Sequence, residues 1–431
     1  MKKIVGIIAA LALASAVFAD KPDLTTSVTK FEGNATFGEK VDLDKETHGM
    51  YNTTSATVEV KWASGGDVTK DHSKSLWGEI QVKSDEKKDG GAFAISAEVK
   101  TAKIHFIDGD FFLNMNILKP NFEVGGLGYV LATDNGDNAL AFGKAKAGDA
   151  AGTPNGFTLS LGVPIISFDI AFGDNGADAT PAWKDAAGKK NYSFKAATTI
   201  KPISGLEVAG GVAMSTTETK DKLAIGASAK YAYSLTDTLS LNPYVAFSMY
   251  DGKDQNLGAA LLFKWGAEKQ EPGFLALSGD MTIGNKCTNG FSVAFTKTLD
   301  KDPDDGKLTV AVFDNTLLGL VGEDAGKLSL AAKFTANTAA FGDGVIAAGA
   351  VYDNTFLSDS DLPIGFTAKV SFGLDLGKDE NNMGISYMFK LTQKTLIENT
   401  ELYASYEATP KLYADESKKK GTIDIGCKIS L

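Results

Sequence analysis

From Leu223 to Leu235 the side chains alternate without a break. Leu223, Ile225, Ala227, Ala229, Tyr231, Tyr233 and Leu235 share one face, and Ala224, Gly226, Ser228, Lys230, Ala232 and Ser234 share the other. A period of two is the signature of a strand, whose successive side chains point to opposite faces. At about 3.3 Å per residue this stretch outruns an apolar band of ~25 Å. The pattern returns along the chain, in Ala56, Val58, Val60 and Trp62, in Phe93, Ile95, Ala97 and Val99, and in Phe157, Leu159, Leu161 and Val163. After a turn at Pro164 it resumes in Ile166, Phe168, Ile170 and Phe172. Later candidates are Leu239 to Met249, Leu257 to Trp265, Leu275 to Ile283, Phe291 to Phe295, Leu308 to Val312, Ile364 to Leu376 and Met383 to Leu391. Helical spacing is hard to find. Residues 323–340 hold enough Ala, Leu and Lys for a helix, yet Leu328, Leu330 and Ala332 alternate.

A soluble β-sandwich or β-solenoid also alternates. Three features favour a membrane barrel. The polar faces are built largely of Gly, Ala, Ser and Thr, which a lumen or crowded wall accepts. Aromatic pairs gather near strand ends, as interfacial girdles do: Tyr231/Tyr233, Phe247/Tyr250, Phe263/Trp265, Tyr387/Phe389 and Tyr403/Tyr406. The third feature is the last ten residues, where Ile423, Ile425, Cys427, Ile429 and Leu431 alternate with polar or small residues. A closing strand of this kind leaves no open edge in lipid. Asp424, Gly426, Ile429 and Leu431 also resemble the terminal signal read by the bacterial barrel-assembly machinery, which more often ends in Phe or Trp.

Lys2 and Lys3 precede an apolar run from Ile4 to Ala16, and the small residues Val17 and Ala19 flank Phe18. This predicts a secretory signal peptide over residues 1–19, cut between Ala19 and Asp20. The run is too short for a spanning helix, which needs about 20 apolar residues, and no later stretch reaches that length. Removing 19 of 431 residues leaves 412, read as one barrel over 20–431. Residues 20–180 are less regular and leave room for a portion outside the wall. Loop lengths suggest two unlike rims. Pro164, Lys201 to Gly205 and Thr236 to Thr238 read as tight turns. Glu39 to Asn52, Ala63 to Lys74, Thr133 to Asn155, Asp174 to Asn191, Asp353 to Pro363 and Thr409 to Gly421 read as long loops. The expected fold is all-β, an antiparallel transmembrane β-barrel of about 16–20 strands, with short periplasmic turns and long external loops. A barrel of that size encloses an aqueous channel.

Charge and chemistry narrow the function. The net charge of −11 argues against nucleic acid, which needs a basic stripe. All 43 basic residues are lysines, so no arginine-lined constriction can form. Cys287 and Cys427 are too few for a disulfide scaffold, and nothing in the sequence brings them together. The three histidines are far apart: His48 and His72 fall in loops, and His105, between Ile104 and Phe106, is placed to face a lumen. The run Asp300 to Gly306 has its Gly one place late for a calcium loop and lacks the closing Glu, and Asp359-Ser-Asp361 reads as another solvated acidic turn. No nucleophile elbow, phosphate loop or zinc-protease motif occurs. The expectation is a non-enzyme without a cofactor.

The Lys-Lys-Ile leader, the lysine-only basic set and the ending Gly-Thr-Ile-Asp-Ile-Gly-Cys-Lys-Ile-Ser-Leu resemble the treponemal major surface protein (major outer sheath) family. The likeness is one of size and style over the mature chain, and of residues mainly in the final strand. It implies an abundant, trimeric, surface-exposed barrel of the outer membrane that conducts small solutes, with loops that bind host matrix. Two functions follow as expectations. One is a porin for small hydrophilic solutes, embedded in outer-membrane lipid and inserted by the barrel-assembly machinery. The other is an adhesin or surface antigen using its long loops on host matrix proteins. A soluble secreted surface-layer β protein is the remaining alternative.

Overall fold

In the computed structural model the described residues are 24–64, 77–89, 92–116, 131–133, 155–174, 192–216, 221–252, 254–266, 283–284, 287–299, 306–316, 325–379, 382–408 and 420–430. The alternation seen in the sequence becomes 21 strand segments. The first seven are β1 (Leu24–Asp42), β2 (Thr47–Ser64), β3 (Trp77–Asp89), β4 (Ala92–Ile107), β5 (Phe112–Asn116), β6 (Asn155–Val163) and β7 (Ile166–Asp174). Next come β8 (Tyr192–Ile203), β9 (Leu206–Thr216), β10 (Asp221–Tyr231), β11 (Tyr233–Thr236), β12 (Leu239–Tyr250) and β13 (Asp254–Trp265). The last eight are β14 (Gly290–Thr298), β15 (Lys307–Asp314), β16 (Lys327–Asn337), β17 (Ala340–Phe356), β18 (Ile364–Asp375), β19 (Met383–Gln393), β20 (Thr400–Ala408) and β21 (Thr422–Ser430).

Apart from β10 and β11, each segment pairs antiparallel with its sequence neighbours, and β1 pairs with both β2 and β21. The sheet therefore closes on itself and has no free edge. β10 and β11 both pair with β12, so they are two parts of one strand and the ring has 20 strands, the upper end of the expected range. The break falls at Ala232, whose amide donates to Gly205 O at 2.8 Å. β1 to β7, drawn from the less regular first part, are members of the same ring.

Burial runs opposite to that of a soluble protein. On β10, Leu223 and Ile225 are 39% and 37% exposed, while Ala224 is 0% exposed. Phe168, Ile170, Leu261, Phe291, Val312, Leu330, Val370 and Ile385 repeat the exposed pattern around the ring. Because cross-strand partners share a face, one continuous apolar surface faces outward and a surface of small and polar residues faces inward. Water would penalise such an exterior, and hydrocarbon would not.

The connections alternate between two rims. The tight turns at 164–165, 204–205 and 237–238 lie on one rim, here called the turn rim. The connections 117–154, 175–191 and 409–421 lie on the other. Each rim carries further short and long connections. Three sequence expectations change. Residues 39–52 form the ends of β1 and β2 around a four-residue turn at 43–46, because Glu39 to Asp42 pair with Met50 to Thr47. Asp353 to Phe356 continue β17. Ile283 is not on a strand, and 275–282 lie outside the described residues. The helix alternative for 323–340 gives way to β16.

Candidate functional site: the barrel interior

Two inter-strand segments turn into the lumen. Residues 131–133, between β5 and β6, and 283–284 with 287–289, between β13 and β14, pack on the inner wall of β12 to β17. The wall makes room with Ala246, Ala294, Ala311, Ala331 and Ala347, against which Leu131 and Ile283 are almost fully buried. The segments also bond to each other and to the wall. Gly284 N donates to Thr133 O at 2.5 Å and Thr288 N to Ala132 O at 2.9 Å. Ala132 N donates to Ser292 Oγ on β14 at 3.0 Å. Asn289 and Asn315, both buried, exchange bonds of 2.8 Å and 3.0 Å that pin the end of the second segment. Buried backbone groups satisfied in this way make a fixed inner layer.

In a ring of 20, the strands opposite β12 to β17 are β2 to β6 and their neighbours. There the inner wall is charged. Lys30 meets Glu32 at 2.9 Å, Lys61 meets Glu59 at 3.4 Å, and Lys103 meets Glu79 at 3.9 Å. His105, 3.7 Å from Glu79, is on this inward face as expected. Two further clusters complete the circuit. Glu207 takes Lys201 at 3.2 Å and Lys230 at 2.9 Å, and Glu401 takes Lys390 at 2.7 Å and Lys394 at 3.3 Å. One sector is thus apolar and covered; elsewhere the wall carries ionised groups, and the inward residues Ala171, Ser193, Lys195 and Ala213 of β7 to β9 are buried as well. Lys30/Glu32 and Lys61/Glu59 lie two apart on one strand, but Lys103/Glu79 and the Glu207 and Glu401 clusters draw on separate segments that no single stretch of sequence reveals together.

The sequence-predicted terminal residues sit at the closing seam. Gly426 lies beside Gly38 across the β1–β21 pair. A Cβ on Gly426 would meet Tyr403 Oη at 2.6 Å and Phe37 O at 2.8 Å, and one on Gly38 would meet Ile425 O at 2.5 Å and Tyr51 Oη at 2.9 Å. The glycines are there so that two lumen tyrosines can lie over the seam. Tyr51 Oη donates to Asp424 Oδ1 at 2.7 Å and also contacts Tyr403 Oη. Ile429 is on the outward face between Ala35 and Thr400. Leu431, Ala19, Asp20, His72 and Asp300 to Asp305 lie outside the described residues. His48 is exposed and pairs with Glu39 at 3.0 Å.

Cys427 is on the outer face of β21 and Cys287 is inside, so the wall separates the two free thiols. Of the aromatic pairs, Tyr231/Tyr233, Phe263/Trp265 and Tyr387/Phe389 share the outward face, with ring centroids 5.9, 6.2 and 6.3 Å apart. Phe247/Tyr250 and Tyr403/Tyr406 do not form girdle pairs. Residues three apart on a strand must face opposite ways, and Tyr250 and Tyr403 turn inward.

The chain is similar to two curated treponemal proteins. It is 33% identical over 148 residues to the major outer membrane protein MspA of Treponema maltophilum, covering 29% of this chain and 24% of that one. It is 33% identical over 120 residues to the major surface protein MspTL of Treponema lecithinolyticum, covering 24% of this chain and 20% of that one. The resemblance read from the sequence is borne out over that part, and the chain spans a quarter or less of either relative's length. No family model matches. Among solved structures, a triple mutant of Rhodopseudomonas blastica porin aligns with a TM-score of 0.33 at 12% identity, over 94% of this chain and 100% of that one. Pseudomonas aeruginosa OccK5 aligns with a TM-score of 0.40 at 11% identity, over 95% and 97%.

Proposed function

We propose that the chain is a bacterial outer-membrane porin: a channel rather than an enzyme, passing small hydrophilic solutes through a water-filled lumen. One observation carries this reading. The closed 20-strand ring is apolar outside and carries polar and ionised groups inside, and the described in-folded segments pack against the β12 to β17 sector. Barrels of 16–18 strands already leave an aqueous channel, so a ring of 20 has room for one beside its in-folded segments. Purified protein in a planar bilayer should give stepwise conductance, and its absence at every protein concentration would overturn the reading.

The remaining expectations complete the proposal. A leader over 1–19 is removed before Asp20, which sequencing the mature N-terminus would test. The assembly machinery reads Asp424, Gly426, Ile429 and Leu431, and the mature barrel is a trimer, checked by cross-linking in native membranes. A surface adhesin acting on host matrix through the 134–154 and 175–191 connections is compatible with the same barrel. Thr133 is buried in the inner layer. A loop deletion that tests adhesion should therefore start after it and should spare conductance.

A further inference from the structure

Two of the inner-wall clusters have the same construction and lie at the same mouth. Glu207 is near the start of β9 at the turn rim, between Lys201 of β8 and Lys230 of β10. Glu401 is near the start of β20 at that rim, between Lys390 and Lys394 on one side and Lys428, its register partner on β21, on the other. Glu207 takes lysines of both neighbouring strands, and Glu401 takes Lys390 and Lys394 with Lys428 across the register, so ammonium charge exceeds carboxylate charge in both. Depth strengthens the imbalance. Side-chain exposure is 54% and 42% for Lys201 and Lys230 against 26% for Glu207. It is 33% and 67% for Lys390 and Lys394 against 21% for Glu401. A solute at the wall finds the ammonium groups more exposed than the carboxylate between them.

We propose that these two clusters are docking stations for small oxyanions, carboxylates or phosphates, and that the channel prefers anions although the chain is acidic. The inference rests on the porin reading. The net charge of −11 does not decide selectivity, because it is spread over the whole chain and the turn-rim acids Asp237, Asp359, Asp361 and Glu398 are exposed in connections rather than placed on the inner wall. Acids at the opposite rim are roughly 25 Å away along the wall, whereas the Debye length is about 8 Å at physiological salt. Local charges therefore dominate at the turn-rim mouth. Water-exposed ammonium groups hold the anion weakly enough to release it, as conduction requires.

The test is the reversal potential of the full chain in a planar bilayer under a potassium chloride gradient. Wild-type protein should favour chloride over potassium. The variant K201Q/K230Q/K390Q/K394Q should lower the permeability ratio by roughly twofold or more, arginine at the same four positions should restore it, and E207Q/E401Q should raise it. Inorganic phosphate on one side should reduce chloride current in wild type and lose that effect in the glutamine variant. A heat-modifiable band for each variant confirms that the barrel has formed. Conductance with a cation preference, or a ratio unchanged in the glutamine variant, overturns this inference alone. No conductance from wild-type protein overturns the porin reading and this inference with it.

Discussion

Gly426 shows how much one residue type depends on distant partners. The sequence presents it as part of a terminal motif with Asp424, and nothing local says what it touches. Tyr51 and Tyr403 come from β2 and β20 and reach it only because the ring closes. Gly426→Ala would push a methyl into Tyr403 Oη and Phe37 O, an overpacking that costs about 1–3 kcal/mol. Tyr51→Phe leaves the Asp424 carboxylate one donor short, a loss of similar size, about 1–3 kcal/mol. Both variants should lower the temperature at which the folded band converts in detergent gels. Gly426→Ala at the seam should also do so more than Gly49→Ala, where an added Cβ meets nothing within 4 Å.

At the scale of the element, period two was legible because each strand carries its own pattern. Leu223 to Tyr231, Phe157 to Val163 and Leu308 to Val312 are strands in the structure as in the sequence. The face that meets lipid was equally legible. Ile225→Lys on the outward face should destabilise the barrel by about 2–4 kcal/mol near the bilayer midplane, whereas Asn34→Lys on the inward face of β1 should be tolerated. Urea titration of detergent-folded protein separates the two. The in-folded segments were not legible. Residues 131–133, 283–284 and 287–289 have no period, and their positions are set by gaps in a wall built from six other strands. Ala294→Phe should fill one of these gaps, displace the segments and raise single-channel conductance while the heat-modifiable band persists.

Closure belongs to the whole molecule. A sum of segments and loops in the sequence allows 16–20 strands, and only the pairing of β1 with β21 and the split of one strand into β10 and β11 set the number at 20. Loop length alone misread residues 39–52, because polar strand ends at a rim have the composition of a loop. Ile429→Asp places a charge on the outer face of the closing strand. Together with Leu431→Asp it should block outer-membrane assembly and leave secretion intact, measured by fractionating periplasm and membrane. Assembly that survives both changes would mean the terminal alternation is ordinary strand patterning.

The lysines of the inner wall have a consequence for chemistry in the intact cell. Every side chain that is cationic at neutral pH apart from histidine ends here in a primary amine, since all 43 are lysines. A guanidinium resists mild acylation, but an amine does not, and acylation removes its charge. A small water-soluble acylating reagent entering the open channel should therefore convert its own route in a single step, leaving Glu207 and Glu401 as bare carboxylates. Recorded during the reaction, the current should drift from anion to cation preference while the channel stays open.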